Sequence, residues 1–193
     1  YVLDEWNNRE FKKDGWWGKK NAGQIGIKYI DALGIDQLDV QGEFNYARPY
    51  TYSHYSTESN GVHYGIPMAH PLGANFKEGL VKVTYQPIPQ LSVQGTFLSY
   101  FKGFDTDSLN YGGDILRNNR INRPNDYGNF IGQGAKRTTQ MADLRASYML
   151  KHNLWLELGY IYRKSTGTNL LDQKENVFNF ALRLNFGREA HLF

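Results

Sequence analysis

Apolar and polar residues alternate one by one along most of this chain. Leu38, Val40, Gly42, Phe44 and Tyr46 share one parity, while Asp39, Gln41, Glu43 and Asn45 share the other. Side chains point to opposite sides of a strand at every step, so the stretch predicts a strand with one apolar and one polar face. A helix would scatter both sets around its circumference. The same alternation recurs through Ile25, Ile27 and Tyr29, through Gly79, Val81, Val83 and Tyr85, and through Leu91, Val93, Gly95 and Phe97. It returns in Ala142, Leu144, Ala146 and Tyr148, in Leu154 to Tyr162, and in Phe178 to Phe186. Seven strands are predicted in this way, with an eighth from Tyr1 to Trp6.

Each predicted strand runs for roughly 9–11 residues, the length a tilted strand needs to cross a bilayer. Strands of ordinary globular proteins average about 5–6 residues. The polar faces carry charge of both signs (Asp39, Glu43, Lys82, Asp143, Arg145, Glu157, Arg183), as a water-filled interior tolerates. The apolar faces end in rings (Tyr46, Tyr85, Tyr160, Tyr162, Phe178, Phe186), the expectation for an aromatic girdle at a membrane interface. The connections alternate as well. Short links fall at 31–36, 86–90 and 151–153, and long ones at 7–19, 48–76, 102–138 and 164–175. Short turns on one side and long loops on the other are the pattern of an outer-membrane barrel. Loops above about 12–15 residues are uncommon in compact domains and usually functional. The predicted fold is therefore all-β: an antiparallel transmembrane β-barrel of about eight strands, one unit over 1–193, with surface loops 48–76 and 102–138. A soluble barrel or sandwich with an apolar inner face would alternate in the same way.

Composition narrows this reading further. No run drawn from Ala, Val, Ile, Leu, Met, Phe, Trp, Tyr and Cys exceeds three residues, so no helix of about 20 apolar residues can cross a membrane. The mean hydropathy of −0.60 follows from strands that are apolar on alternate residues only. The chain has no Cys, which removes disulfides and thiolate metal sites. Its net charge of +3 is too mild and too dispersed for a nucleic-acid footprint. It opens on Tyr1 without a signal-peptide pattern, and the weight of its loops suggests the C-terminal part of a larger barrel. Terminal Phe193 resembles an outer-membrane assembly signal but stands apart from any alternating strand.

Three loop segments carry a family resemblance: Arg-Pro-Tyr-Thr-Tyr-Ser-His at 48–54, Ala-His-Pro-Leu-Gly-Ala-Asn-Phe at 69–76, and Tyr-Gly-Gly-Asp-Ile-Leu-Arg at 111–117. In sequence and order they resemble the capsule-assembly Wzi family of outer-membrane proteins, closest to its Bacteroidota branch with gliding-motility-associated members. The resemblance spans about Lys20 to Phe186. It implies a large outer-membrane barrel, lipid around it, long loops facing the cell exterior, and a role in holding surface polysaccharide or in a gliding or secretion assembly. It supplies no catalytic motif and no cofactor.

The loop residues themselves suit a glycan. Aromatic faces stack on sugar rings, and Arg, Asn and Asp bind hydroxyls and carboxylates through directed hydrogen bonds. The candidates are Arg48, Tyr50, Tyr52, His54, Tyr55, His70, Asp114, Arg117, Arg123 and Asp126, with Arg120 and Asn125 beside them. An alternative gives the same Tyr and Arg to hydrogen bonds inside folded loops. His54, His63 and His70 invite a zinc reading, but their spacings of nine and seven align on no helix. Ser53, His54 and Asp126 contain the residue types of a hydrolase without its geometry. No metal and no catalytic residue is expected. A diffusion channel and a structural subunit of an outer-membrane complex stand as rival functions.

Overall fold

The computed structural model describes residues 1–5, 7–10, 12–168 and 170–185. Ten strands form in chain order: β1 (Val2–Leu3), β2 (Asn21–Tyr29), β3 (Leu38–Ala47), β4 (Val62–His63), β5 (Ile66–Pro67), β6 (Phe76–Ile88), β7 (Leu91–Phe104), β8 (Ala135–Lys151), β9 (Leu154–Gly167) and β10 (Leu170–Leu184). Eight of them make one antiparallel sheet in the order β1-β2-β3-β6-β7-β8-β9-β10, while β4 and β5 form a separate small hairpin. Every neighbour in the sheet is also the next sheet strand in sequence, so no connection crosses another. The sheet is not closed: among the described residues, β1 pairs only with β2 and β10 only with β9.

The register preserves the alternation across the whole sheet. Tyr29, Val40, Val83, Gly95, Leu144, Tyr160 and Phe178 stand opposite one another in a single row over seven strands. One step along, Lys28, Gln41, Lys82, Thr96, Asp143, Ile161 and Val177 make the matching row of the opposite face. A slip of one residue anywhere would exchange the faces. On the polar face, charges meet charges: Lys28 lies 2.8 Å from Asp39, Arg145 2.7 Å from Asp143, and Arg183 2.7 Å from Glu157. Among the described residues, no second layer packs on the apolar face. Ile27 is 76% exposed and Phe178 80% exposed. In β9 this apolar stripe runs from Leu154 to Tyr162, about 27 Å along the strand at the usual rise.

Three expectations need correction. The link at 164–175 is not a long loop, because β9 continues to Gly167 and β10 begins at Leu170. The first strand shrinks from 1–6 to Val2–Leu3. Loop 102–138 contracts to 105–134, since β7 and β8 run on into it. In these extensions polar residues fall on both faces (Lys102, Lys136, Arg137, Thr138, Lys164, Ser165, Gln173, Lys174), so the alternation of hydrophobicity breaks down there. The rings are also spread differently from a pair of girdles. Tyr160 and Phe178 stack at 4.7 Å in the middle row of the face. Trp6, Phe186 and Phe193 lie outside the described residues.

Segment 7–19 and loops 48–75 and 105–134 cluster at one end as a cap, and the interior of the molecule is there. The apolar part is small: Ala22, Ala47 and Phe76, with Tyr52 and Leu72 against them. Much of the rest is polar and hydrogen-bonded. Asn75 is fully buried. Its Nδ2 donates to the carbonyls of Gly103 and Gln133, each at 3.0 Å, and its Oδ1 accepts the Gly132 N–H at 2.7 Å. Its left-handed backbone (φ 61°) suits Asn better than most residues. Two glycines permit this close approach. A Cβ on Gly103 would collide with the Gln133 carbonyl and the Asn75 amide, and one on Gly112 with the backbone and ring of Tyr50.

Candidate functional site

The cap is tied together mainly through backbone carbonyls. Tyr50 N–H donates to Gly112 O at 3.1 Å, and Gly103 N–H to Asn75 O at 2.9 Å. Asn118 Nδ2 reaches Tyr55 O at 2.7 Å, and Asn119 Nδ2 reaches Ser53 O at 2.8 Å. The segment before β2 joins in. Trp17 N–H donates to Asp126 O, Asn129 N–H to Gly15 O, and Tyr127 Oη to Glu10 at 2.6 Å. Lys20, with no exposed surface, donates to Glu5 and to Ser53 O, both at 2.8 Å.

Within this frame most of the expected binding residues already have partners. Arg48 donates to Lys19 O at 3.0 Å and Asn129 O at 3.1 Å, and burial pulls its pKa down. Tyr50 is wholly buried and donates to Asn110 O at 2.7 Å; burial pushes its phenol pKa up. Tyr52 packs on the apolar cluster, its N–H on Asp4, and burial also raises its pKa. His54 Nε2 lies 3.4 Å from Asp4. His70 is stacked on Phe76 at 4.5 Å. Its Nδ1 accepts the Leu72 N–H, so a neutral ring carries its proton on Nε2, 3.1 Å from Glu78. Arg117 Nη1 donates to Thr106 O at 2.9 Å. Arg123 lies over the Trp17 ring at 3.9 Å and donates to Asn119 O at 2.7 Å and to Asp126. Tyr55 stays exposed with Arg120 over its ring at 4.9 Å, and the Asp126 carboxylate is exposed at the rim.

The ten residues do not form one site. Asp114 and Arg117 do share a groove of about 490 Å³ between the β4–β5 hairpin and residues 104–117. Pro67, Leu72, Phe104, Ile115 and Leu116 supply its apolar surface, and Asp107 and Asp114 supply carboxylates. Asp105, on the groove wall, is nearly buried and accepts the N–H groups of Tyr111, Gly113 and Asp114 at 2.7–3.1 Å. It shapes the loop, with three of its acceptor positions taken by backbone. With Arg117 turned toward the Thr106 carbonyl and Lys102 toward that of Leu72, the exposed carboxylates of Asp107 and Asp114 are left as acceptors, which suits hydroxyl donors better than sugar acids. Sequence reasoning missed Asp105, Phe104 and the hairpin. Their only signal was position, at the point where alternation stops.

The histidines go to separate partners, with His63 edge-on to Tyr64 at 4.4 Å. Among the described residues no group of three or more His, Cys, Asp or Glu is placed to hold a metal. Ser53 Oγ donates to Tyr50 O at 2.9 Å, away from His54 and Asp126. No helix is long and apolar enough to cross a membrane. Comparison with family models, curated proteins and solved structures returns no match.

Proposed function

We propose that this chain builds part of the wall of an outer-membrane β-barrel and carries its cap on the cell exterior, where the groove beside Asp107 and Asp114 receives the hydroxyls of a surface polysaccharide. The observation that carries the reading is the sheet's outer face. Seven strands present a continuous apolar surface with no layer packed on it among the described residues, backed by a face of paired charges. A soluble sandwich buries such a face; lipid covers it in a barrel. The open edges of β2 and β10 call for further strands, since unpaired backbone is costly in hydrocarbon. The resemblance to the Wzi family adds support. Its three segments lock onto one another in the cap, Tyr50 on Gly112 and Asn75 beside Tyr111.

The absence of native Cys makes the test direct. Single cysteines at Leu158 and Phe180 are expected to be reached by a lipid-soluble quencher, and those at Glu157 and Asn179 by a water-soluble one. Loss of that alternation in vesicles would sink the barrel. For the glycan, Asp107→Ala and Asp114→Ala are expected to weaken binding of the purified protein to the cell's own polysaccharide by about tenfold each, the effect of a lost hydrogen bond to a charged group. Unchanged binding removes that role. The paired charges of the opposite face also favour a second reading, a diffusion channel, which single-channel conductance would reveal.

A further inference from the structure

Charge is sorted between the two faces of the sheet by sign and by height. On the polar face, acids and bases of the strands meet, as in Asp143 with Arg145 and Glu157 with Arg183. On the apolar face every charged residue in a registered row at the loop end is lysine: Lys77, Lys136, Lys164 and Lys174. All four are exposed, and none is in an ion pair among the described residues. The acids next to them in sequence, Glu78 and Glu175, belong to the opposite face, and Asp172 falls within the irregularity that interrupts β10 between Leu170 and Gln173. The turn end differs, with Asp31, Asp36 and His152 in the turns and Lys151 at the end of β8, of mixed sign.

The lysines come in two pairs, each beside a ring. Lys77 stands opposite Phe101, and Lys136 Nζ lies 4.3 Å from the centre of that ring. Lys164 stands directly opposite Lys174, whose Nζ lies 5.7 Å from the centre of Tyr162. Like charges directly opposite across a strand pair are destabilising. Lys164 and Lys174 make such a pair, a cost that an anion between them would offset, while Lys77 and Lys136 flank Phe101 from the two strands on either side of β7.

We propose that these two lysine pairs seat the phosphate groups of lipids in the leaflet at the loop end. This rests on the barrel reading, which brings that face against lipid. The lysine stems lie along the apolar surface and lift their ammonium groups to headgroup height. Phe101 lies against Lys136 and Tyr162 against Lys174, so each ammonium group has an aromatic ring beside it. The arrangement fixes the height of the barrel in the bilayer and gathers phosphate-bearing lipid around the cap.

The test uses the whole protein in vesicles of phosphatidylcholine with and without phosphatidic acid, and counts lipids retained in native mass spectra. The wild type is expected to prefer phosphatidic acid by roughly fivefold for each lysine engaged. The pairs K77Q/K136Q and K164Q/K174Q are each expected to lose part of that preference, and the quadruple variant all of it. Lys82→Gln, on the polar face, is expected to leave it unchanged. A quadruple variant that keeps the preference, or an inserted wild type that shows none, overturns the proposal and spares the barrel. Failure of the wild type to insert overturns both. If inorganic phosphate abolishes the preference, the lysines hold a free anion rather than lipid, and the proposal fails.

Discussion

The cap and the outer face of the sheet handle polar and apolar groups in opposite ways. In the cap, Lys20, Thr51 and Asn75 are almost completely withdrawn from solvent, and their polar groups are satisfied largely by backbone. On the outer face, Ile25, Phe178 and Phe180 are each more than 70% exposed. A single aqueous surrounding does not favour both arrangements. The cap behaves as a water-side structure stabilised by hydrogen bonds, each worth about 1 kcal/mol net but costing about 1–3 kcal/mol when a buried partner is stranded. In the barrel we propose, lipid would cover this face, since exposing such area to water costs about 25 cal/mol per Å².

The sharpest way to break this contrast is to remove the hub of the cap. Asn75→Ala strands the carbonyls of Gly103 and Gln133 and the N–H of Gly132. It is expected to cost about 3–5 kcal/mol, from three groups left unpaired. Denaturant unfolding measures it, and a loss under 1 kcal/mol, roughly one ordinary hydrogen bond, would mean the cap does not depend on that network. Next comes a charge on the face. Leu158→Arg is expected to destabilise the inserted protein by about 2–4 kcal/mol, whereas Thr96→Arg on the polar face is expected to cost under about 0.5 kcal/mol. Equal effects in vesicles would erase the distinction between the faces.

The smallest effect concerns pH at the rim. Hydrogen bonds from Tyr127 and Lys13 hold the Glu10 carboxyl below its ordinary value of 4.5. A lowered carboxyl pKa stabilises the folded form above the unfolded value, and that contribution is lost as pH falls through the folded value. Amide protection at Gly128 and Asn129, whose N–H groups reach Asp14 and Gly15, is expected to be flat above pH 4.5 and to decline below it. Glu10→Gln is expected to remove that step. A decline that persists in the variant would assign it to another group.

The sheet was legible in the sequence because its two faces differ chemically at every step from Leu38 to Tyr46 and from Leu154 to Tyr162. Legibility stopped where that difference stopped. Lys164-Ser165-Thr166-Gly167 is polar on both faces, reads as loop, and is strand, with Ser165 Oγ 2.7 Å from Thr139 Oγ1 across the ladder. In the cap, residue types were visible and their duties were not. Arg48, Tyr50 and Arg123 have the chemistry of a glycan site, yet their donors are turned inward by carbonyls from segments 60 to 81 residues away or by a neighbouring turn. No local pattern announces a partner at that distance. The lysines at 77, 136, 164 and 174 gain meaning only once register brings them to the same end of the same face.

The joining of segment 7–19 to residues 125–129 has a consequence for how the protein assembles. Asn129 and Gly15 are 114 positions apart and bonded through both backbone and side chain. Contacts of such separation are slow to form, because the intervening chain must be ordered first. Here that chain includes strands β2 to β7 in correct register. The cap is therefore expected to close after the hairpins beneath it are in place, and a slip in any of them would leave Gly15 and Asn129 apart. Bonds formed in that order would check the register of all the strands between them.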